Sequence, residues 1–295
     1  MYLIHLGFLV LLILNPFSLL SAAENIQKDV LFVVLGKTAN YRQSTHGSHT
    51  LLNYHFFAEI FLKEKGWVRK PALISPGGTS TLVFAGDDSV LEVHGGRYES
   101  EAQLNAAFPD GTYIFSYRLS DDTLLNQSVM IKNGSGNSRI PEPVSIYLSQ
   151  NKKKVNPKQV DPDIDLTVRW SNFKSGNADP NNIVDDLVFV VTGNCHGKKI
   201  DHSGGPFGDS PYLTFASEKY VIPTSKLVAG ESFQIFVEHA EMDSSTYRNI
   251  PEIAAYATTS FIDIRTTGTK SNPSKKCPAV MPAMDGGQTD RPSKQ

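Results

Sequence analysis

The chain has 295 residues, with 28 Lys and Arg against 30 Asp and Glu, a net charge of −2 and an apolar share of 40%. That balance excludes wholesale disorder, collagen and a polytopic membrane protein, and the lack of a long basic block argues against a nucleic-acid binder. Two cysteines are too few for a disulfide-built scaffold.

Residues 1–23 read as an export signal. Leu6 to Leu14 is apolar apart from Gly7, Asn15-Pro16 breaks the run, and Ser21-Ala22-Ala23 offers small residues for cleavage. The segment before it has no Lys or Arg, only His5 beside the terminal amine. An uncleaved N-terminal anchor is the alternative, but the apolar run is short for a span of roughly 20 residues. The mature chain from residue 24 has a length suited to two domains.

The remainder reads mainly as strands. Asp29 to Gly36 (DVLFVVLG) is β-branched, short and closed by glycine. Residues 53–63 alternate: Tyr54, Phe56, Ala58, Ile60 and Leu62 share one face, His55, Phe57, Glu59, Phe61 and Lys63 the other. Read as a helix, their apolar residues would wrap nearly all the way round, so a strand is the better reading. Strands follow at Ala72–Ser75, Ser80–Ala85 and Val90–Val93, with turns at Gly77-Gly78, Asp87-Asp88 and Gly95-Gly96. Ser100 to Gln103 is a capping box that starts one short helix, which Pro109 ends. Asp110-Gly111-Thr112-Tyr113 then feeds an alternating strand, which pairs across Asp121-Asp122 with Ser128–Lys132.

Pro141 and Pro143 mark the start of a second unit, since proline does not sit inside a central strand. After the basic run Lys152–Lys154 come strands at Asp165–Trp170, Asp185–Thr192, Lys219–Ile222, Ser232–His239 and Thr258–Arg265. This spacing, with so few helices, points to antiparallel sandwiches rather than βαβ units. Residues 269–295 hold four prolines and an excess of positive charge, the composition of a disordered tail. The expected fold is therefore all-β: an N-terminal β-sandwich domain over 24–140, a second over 141–268, and a tail over 269–295.

Around Asp165–Trp170, and again from Leu227 to Val237, the second unit resembles a fibronectin type III domain. That family carries a core tryptophan on an early strand, and a leucine six residues before an aromatic whose hydroxyl ties down a corner. Leu227 and Phe233 keep the spacing, but phenylalanine has no hydroxyl to make that bond. Asp110–Tyr113 in the first unit is a similar entry with the hydroxyl present. More broadly, residues 28–267 resemble a group of exported bacterial proteins with a Phe-rich strand, a short helix entering FPDGTY and a fibronectin-like domain. That resemblance implies a compartment (periplasm, cell surface or medium) and a fold, and no activity.

Candidate chemistry is sparse. His46 and His49 in the loop THGSH could converge on a metal, though nothing resembles HExxH. Cys195 with His196 or His202 could be drawn as a nucleophile and base, but in an oxidising compartment a Cys195–Cys277 disulfide is the better use. Cys277, Met281 and Met284 suit soft copper, but no histidine follows to complete a blue-copper set. Asp161, Asp163 and Asp165 begin like a calcium loop, and Leu166 stands where that loop requires glycine. Asp179, Asn181 and Asp185 gather hard oxygen ligands between two strands, leaving calcium as the one cofactor worth weighing; turn chemistry accounts for them equally well. On the outward face of 53–63, His55, Phe57, Glu59 and Phe61 could stack on and bond to a sugar, unless that face is packed. The chain thus reads as an exported, non-catalytic sandwich protein for binding, adhesion or scaffolding, its partner an extracellular glycan or a surface protein. No nucleic acid and no membrane span after leader cleavage is expected. The alternative is a secreted polysaccharide hydrolase or lyase whose carboxylates meet only in space.

Overall fold

The computed structural model describes residues 29–64, 67–86, 89–132, 138–208, 211–269, 277, 278 and 281. The export signal expected over 1–23, the Asp87-Asp88 turn and Met284 lie outside them. The fold is all-β with one α-helix among the described residues. The strands of its first half are β1 (Val30–Gln43), β2 (His49–Leu62), β3 (Arg69–Ile74), β4 (Thr81–Val83), β5 (Val90–Tyr98), β6 (Gly111–Arg118) and β7 (Leu124–Ile131), with helix α1 (Glu101–Ala107) between β5 and β6. Those of its second half are β8 (Ile146–Gln150), β9 (Lys153–Lys154), β10 (Leu166–Trp170), β11 (Leu187–Asn194), β12 (Lys199–His202), β13 (Leu213–Thr214), β14 (Lys219–Ile222), β15 (Ser232–Tyr247) and β16 (Ile250–Arg265).

One large sheet runs in the order β12–β11–β15–β16–β1–β2–β5, with β13 beside β11; two four-stranded sheets, β4–β3–β6–β7 and β14–β10–β8–β9, complete the molecule. All named strand pairs are antiparallel except β1–β16, where the N-terminal strand runs parallel to the last one. The β15–β16 hairpin turns on Arg248 and Asn249, both with positive φ (50° and 65°), the geometry a two-residue turn needs. Sixteen residues per strand give this hairpin a length of about 50 Å.

That length explains how two cores share one sheet. Even-numbered residues of β16 all face the smaller sheets: Ile250, Ala254 and Tyr256 enter the first core, and Ile262 and Ile264 enter the second. The first core packs Phe56, Ala58 and Ile60 of β2 against Tyr113, Phe115 and Tyr117 of β6, with Leu104 of α1 closing one end. The second packs Leu166, Val168 and Trp170 of β10 against Phe233, Ile235 and Val237 of β15. The expected division near residue 141 therefore separates the two smaller sheets, while the large sheet runs through both units.

The strand between Asn53 and Lys63 is present and starts earlier, at His49. Strands β15 and β16 also outrun their expected bounds, pairing with each other without a break from Ser232 opposite Arg265 to Tyr247 opposite Ile250; Ser245 Oγ also donates to Glu252 at 3.0 Å. The capping box forms, with Ser100 Oγ accepting from the Gln103 amide at 3.3 Å. Gln103 bonds back one residue further out than expected, to the Glu99 amide at 3.0 Å. Tyr113 donates its hydroxyl to the Pro109 carbonyl at 2.9 Å, tying the strand entry to the end of the helix.

Where the chain crosses between units it is held rather than loose. The Thr258 hydroxyl donates to the Pro141 carbonyl, and Ser260 Oγ accepts from the Val144 amide at 3.1 Å. Arg139 pairs with Asp243 and lies 4.1 Å over the Tyr256 ring. Cys195 and Cys277 form a disulfide with Cα atoms 5.4 Å apart. Met281 is buried; its amide donates to Asp263 at 3.3 Å and its carbonyl accepts from Arg42. The described residues of the tail expected to be disordered are thus anchored on the large sheet by a covalent bond and this polar clamp.

Candidate functional site

A hollow of about 860 Å³ opens between the 44–48 turn and the β8–β9 hairpin and continues over the sheet β14–β10–β8. Asn151 and Lys152 form the hairpin turn with φ of 49° and 63°, which puts the lysine run of the sequence at an edge. In β8, Ile146, Leu148 and Gln150 point inward, so Tyr147 and Ser149 point out. Arg169 lies opposite Tyr147 in register and opposite Lys219 on its other side. Lys154 lies opposite Ser149. Lys152, Lys154, Arg169 and Lys219 thus line the hollow together with His46, and among the described residues no Asp or Glu does. Tyr147 stands 55% exposed among them. Arg169 has a loose partner, Glu218 at 3.7 Å, both well exposed; among the described residues the three lysines have none.

His46 sits on the rim of this hollow, and His49 does not join it. The His49 ring bonds through Nε2 to the Val144 carbonyl at 3.0 Å, because β2 begins at His49 and turns its ring toward the crossing segment. The ring of His49, one of the two histidines that could converge on a metal, is thus engaged with the backbone.

The other face of β2 is packed rather than an open aromatic platform, the alternative weighed for it above. Phe61 stacks flat on Phe32, 4.1 Å between centroids, and Phe32 meets Phe207 at 4.9 Å. Phe57 lies over Gly36, so closely that an added Cβ there would stand 2.8 Å from its ring. His55 is buried and bonds through Nδ1 to the Gly96 carbonyl at 3.0 Å. Burial, then the Arg97 charge, pushes its pKa down to about 3. Glu59 lies directly opposite Glu92 of β5. Burial, then Glu92 and Glu238, raises its pKa to about 7. Glu92 itself is held low by its 3.2 Å bond to His94, and that bond raises His94. Sequence alternation placed Glu59 on this face; its partner could not be read, because the β2–β5 register depends on a bulge between His55 and Phe57.

The Asp179 loop is turn chemistry. Asp179 is buried, and its carboxylate accepts the amides of Asn181 at 2.9 Å, Ile183 at 2.7 Å and Val184 at 3.0 Å, and the Ser244 hydroxyl at 2.5 Å. Burial alone would raise its pKa, but the Ser244 bond and these amides bring it below the usual value. Asp185 accepts the Asp179 amide at 2.9 Å, and Asn181 donates its side-chain amide to the Ser244 carbonyl at 2.8 Å. The Asp179 carboxylate is thus committed to the loop's own amides and to Ser244 of β15, the turn chemistry weighed beside calcium above. Cys195 lies 3.6 Å from His196 Nε2, but its sulfur belongs to the disulfide and offers no thiolate. Among the described residues, the one group of three His, Cys, Asp or Glu side chains close enough to share an ion is Cys195, Glu231 and Cys277, and both sulfurs there are already bonded.

No protein-family model matches this chain, and no curated protein does. Among solved structures it is similar to the crystal structure of a Salmonella alpha-2-macroglobulin mutant, with 10% identity and a TM-score of 0.20. That likeness covers 77% of this chain and 14% of the other, so the chain spans a small part of its length. No helix among the described residues is long and apolar enough to cross a membrane.

Proposed function

We propose that this protein is an exported, non-catalytic binding module that meets an extracellular glycan on the outer face of β14–β10–β8–β9. The observation that carries the reading is the hollow of about 860 Å³ with exposed Tyr147 at its floor and cationic side chains around it. A tyrosine ring presents an apolar face and a polar tip, the combination that suits a sugar ring. Export follows from the leader-like residues Leu6–Leu14 and Ser21–Ala23. A fibronectin type III-like second unit is supported by its strand order, β14–β10–β8 facing β12–β11–β15–β16, and by buried Leu227 and Phe233. The test is a panel of neutral and acidic polysaccharides scored for binding and for product release. Binding without turnover is the expected result; turnover, or no binding to any member, overturns it.

One observation favours the second reading, a secreted polysaccharide hydrolase or lyase. Glu59, raised to about 7, faces Glu92, held low by His94, and carboxylates with divided pKa values are how such enzymes assign acid and base. Under that reading the same panel releases product and Glu59→Gln abolishes the release.

A further inference from the structure

The hollow on β14–β10–β8–β9 has a charge pattern that narrows its ligand, a narrowing that rests on the binding module proposed above. Lys219, Arg169 and Tyr147 stand side by side on three adjacent strands. Lys154 stands one strand further on, a single step along the sheet. Lys152 caps the hairpin beside it. From Lys219 to Lys154 is three strand spacings, about 15 Å, the reach of an oligomer rather than a single sugar. These cations belong to a chain whose net charge is −2, so their gathering is local. Among the described residues no carboxylate lines the hollow, and the exposed Arg169–Glu218 pair is of the kind that contributes little and yields readily to a better anion.

We infer that the ligand is a linear acidic glycan, its carboxylate or sulfate groups received by Lys219, Arg169 and Lys154 while one ring lies on Tyr147. A neutral glycan leaves three lysines and an arginine without a function. A single-stranded nucleic acid brings the charge but stacks successive bases on successive aromatic rings, and this face exposes one, at Tyr147. The guanidinium of Arg169 supplies the planar two-point grip that a carboxylate or sulfate accepts, and the lysines act as point charges on either side.

The experiment titrates full-length protein with a polyuronate, a sulfated polysaccharide, a neutral dextran and a single-stranded oligonucleotide, each at low and at physiological ionic strength. Binding to the two acidic glycans is expected, weakening as salt screens the contact. The doubly reversed variant Lys154→Glu/Arg169→Glu is expected to lose at least about tenfold in affinity, since two charge-assisted contacts become repulsive. Tyr147→Ala, which leaves the charges alone, is expected to lose about threefold. Lys198→Glu, a single charge reversal at an exposed turn away from the hollow, is expected to bind as the parent does. Salt-independent binding of dextran alone overturns the acidic class and leaves the binding reading standing; absence of binding to every glycan overturns both. Acidic-glycan binding untouched by the double reversal and by Tyr147→Ala overturns the site. Tighter binding of the oligonucleotide overturns the glycan.

Discussion

The Lys37 ammonium, buried in the middle of β1, lies 2.8 Å from the Asp110 carboxylate and 2.7 Å from the Asn105 side-chain oxygen. These contacts tie the large sheet to α1 and to the turn after it. The lysine is 1% exposed while Asp110 is 36% exposed, so the two ends of the pair are not equivalent. Removing the carboxylate leaves a buried charge with less compensation; removing the lysine leaves an acid that water can reach. Asp110→Ala is therefore expected to cost about 3 kcal/mol, and Lys37→Met, which fills the same space without charge, clearly less. Chemical denaturation of both variants and of the double variant checks the asymmetry, and equal costs would contradict it.

Glu59 makes stability depend on pH with a sign opposite to that of an ordinary paired carboxylate. Its pKa is about 7 in the fold against 4.5 as its reference value. Below pH 4.5 it is protonated in both states and exacts nothing. Between 4.5 and about 7 the unfolded chain releases its proton first, so the contribution of this residue to stability falls as pH rises, by up to about 3 kcal/mol. Glu59→Gln is expected to be more stable than the parent at pH 8 and to match it at pH 4. The measurement is the difference between their unfolding free energies across that range.

The pattern of strands was legible where one face of a strand is apolar and the other is not. The alternation in Phe56–Leu62 and in Leu166–Trp170 fixed both which residues form strands and which side they bury. What could not be read was pairing. The parallel β1–β16 contact joins Val33 to Glu252, residues from opposite ends of the chain, and no local signal announces it. The hollow is illegible in the sequence for the same reason. In sequence Lys152–Lys154 is only a basic run, and it lines a hollow only because β8 and β10 bring Tyr147 and Arg169 alongside. The aromatic row of β2 was conspicuous in sequence because it is apolar, and it is apolar because Phe32 and Gly36 pack beneath it.

His239 is buried against Phe173, 4.4 Å between ring centroids, and its Nε2 has no hydrogen-bond partner among the described residues. Burial lowers its pKa to about 4 from 6.5. Above pH 6.5 neither state is protonated and nothing is lost. As pH falls from 6.5 toward 4 the unfolded chain takes up a proton that the folded one refuses, and stability drops by up to about 3 kcal/mol. His239→Phe removes both the titration and the unpartnered nitrogen. It is expected to be at least as stable as the parent at pH 8 and more stable at pH 5, as read from paired thermal melts.

The Cys195–Cys277 bond spans a separation of 82 residues. Loop-closure entropy gives such a cross-link about 4 kcal/mol of stabilisation, from its restriction of the unfolded chain. Cys277→Ser is expected to lower the denaturant midpoint by a corresponding amount and to expose the Met281 clamp to limited proteolysis, while leaving the strand signal in circular dichroism in place. Free-thiol titration of the folded parent, with and without reductant, checks the premise. Equal counts in the two would refute the bond.

Asp179 answers whether the loop before β11 is organised by a cation or by itself. Its carboxylate accepts three backbone amides and the Ser244 hydroxyl, and Asp179→Ala strands all four donors in a buried turn. Each stranded donor carries a desolvation cost of about 1 kcal/mol or more, so a total loss of about 4 kcal/mol is expected. Because its pKa sits below 3.8 in the fold, the stability it supplies is complete above the usual carboxylate range and fades as pH falls through it. Calcium or a chelator is expected to leave the parent's melting temperature where it was, since the Asp179 carboxylate is already committed to these four donors. A rise in melting temperature with calcium that Asp179→Asn abolishes would mean the loop opens to bind an ion.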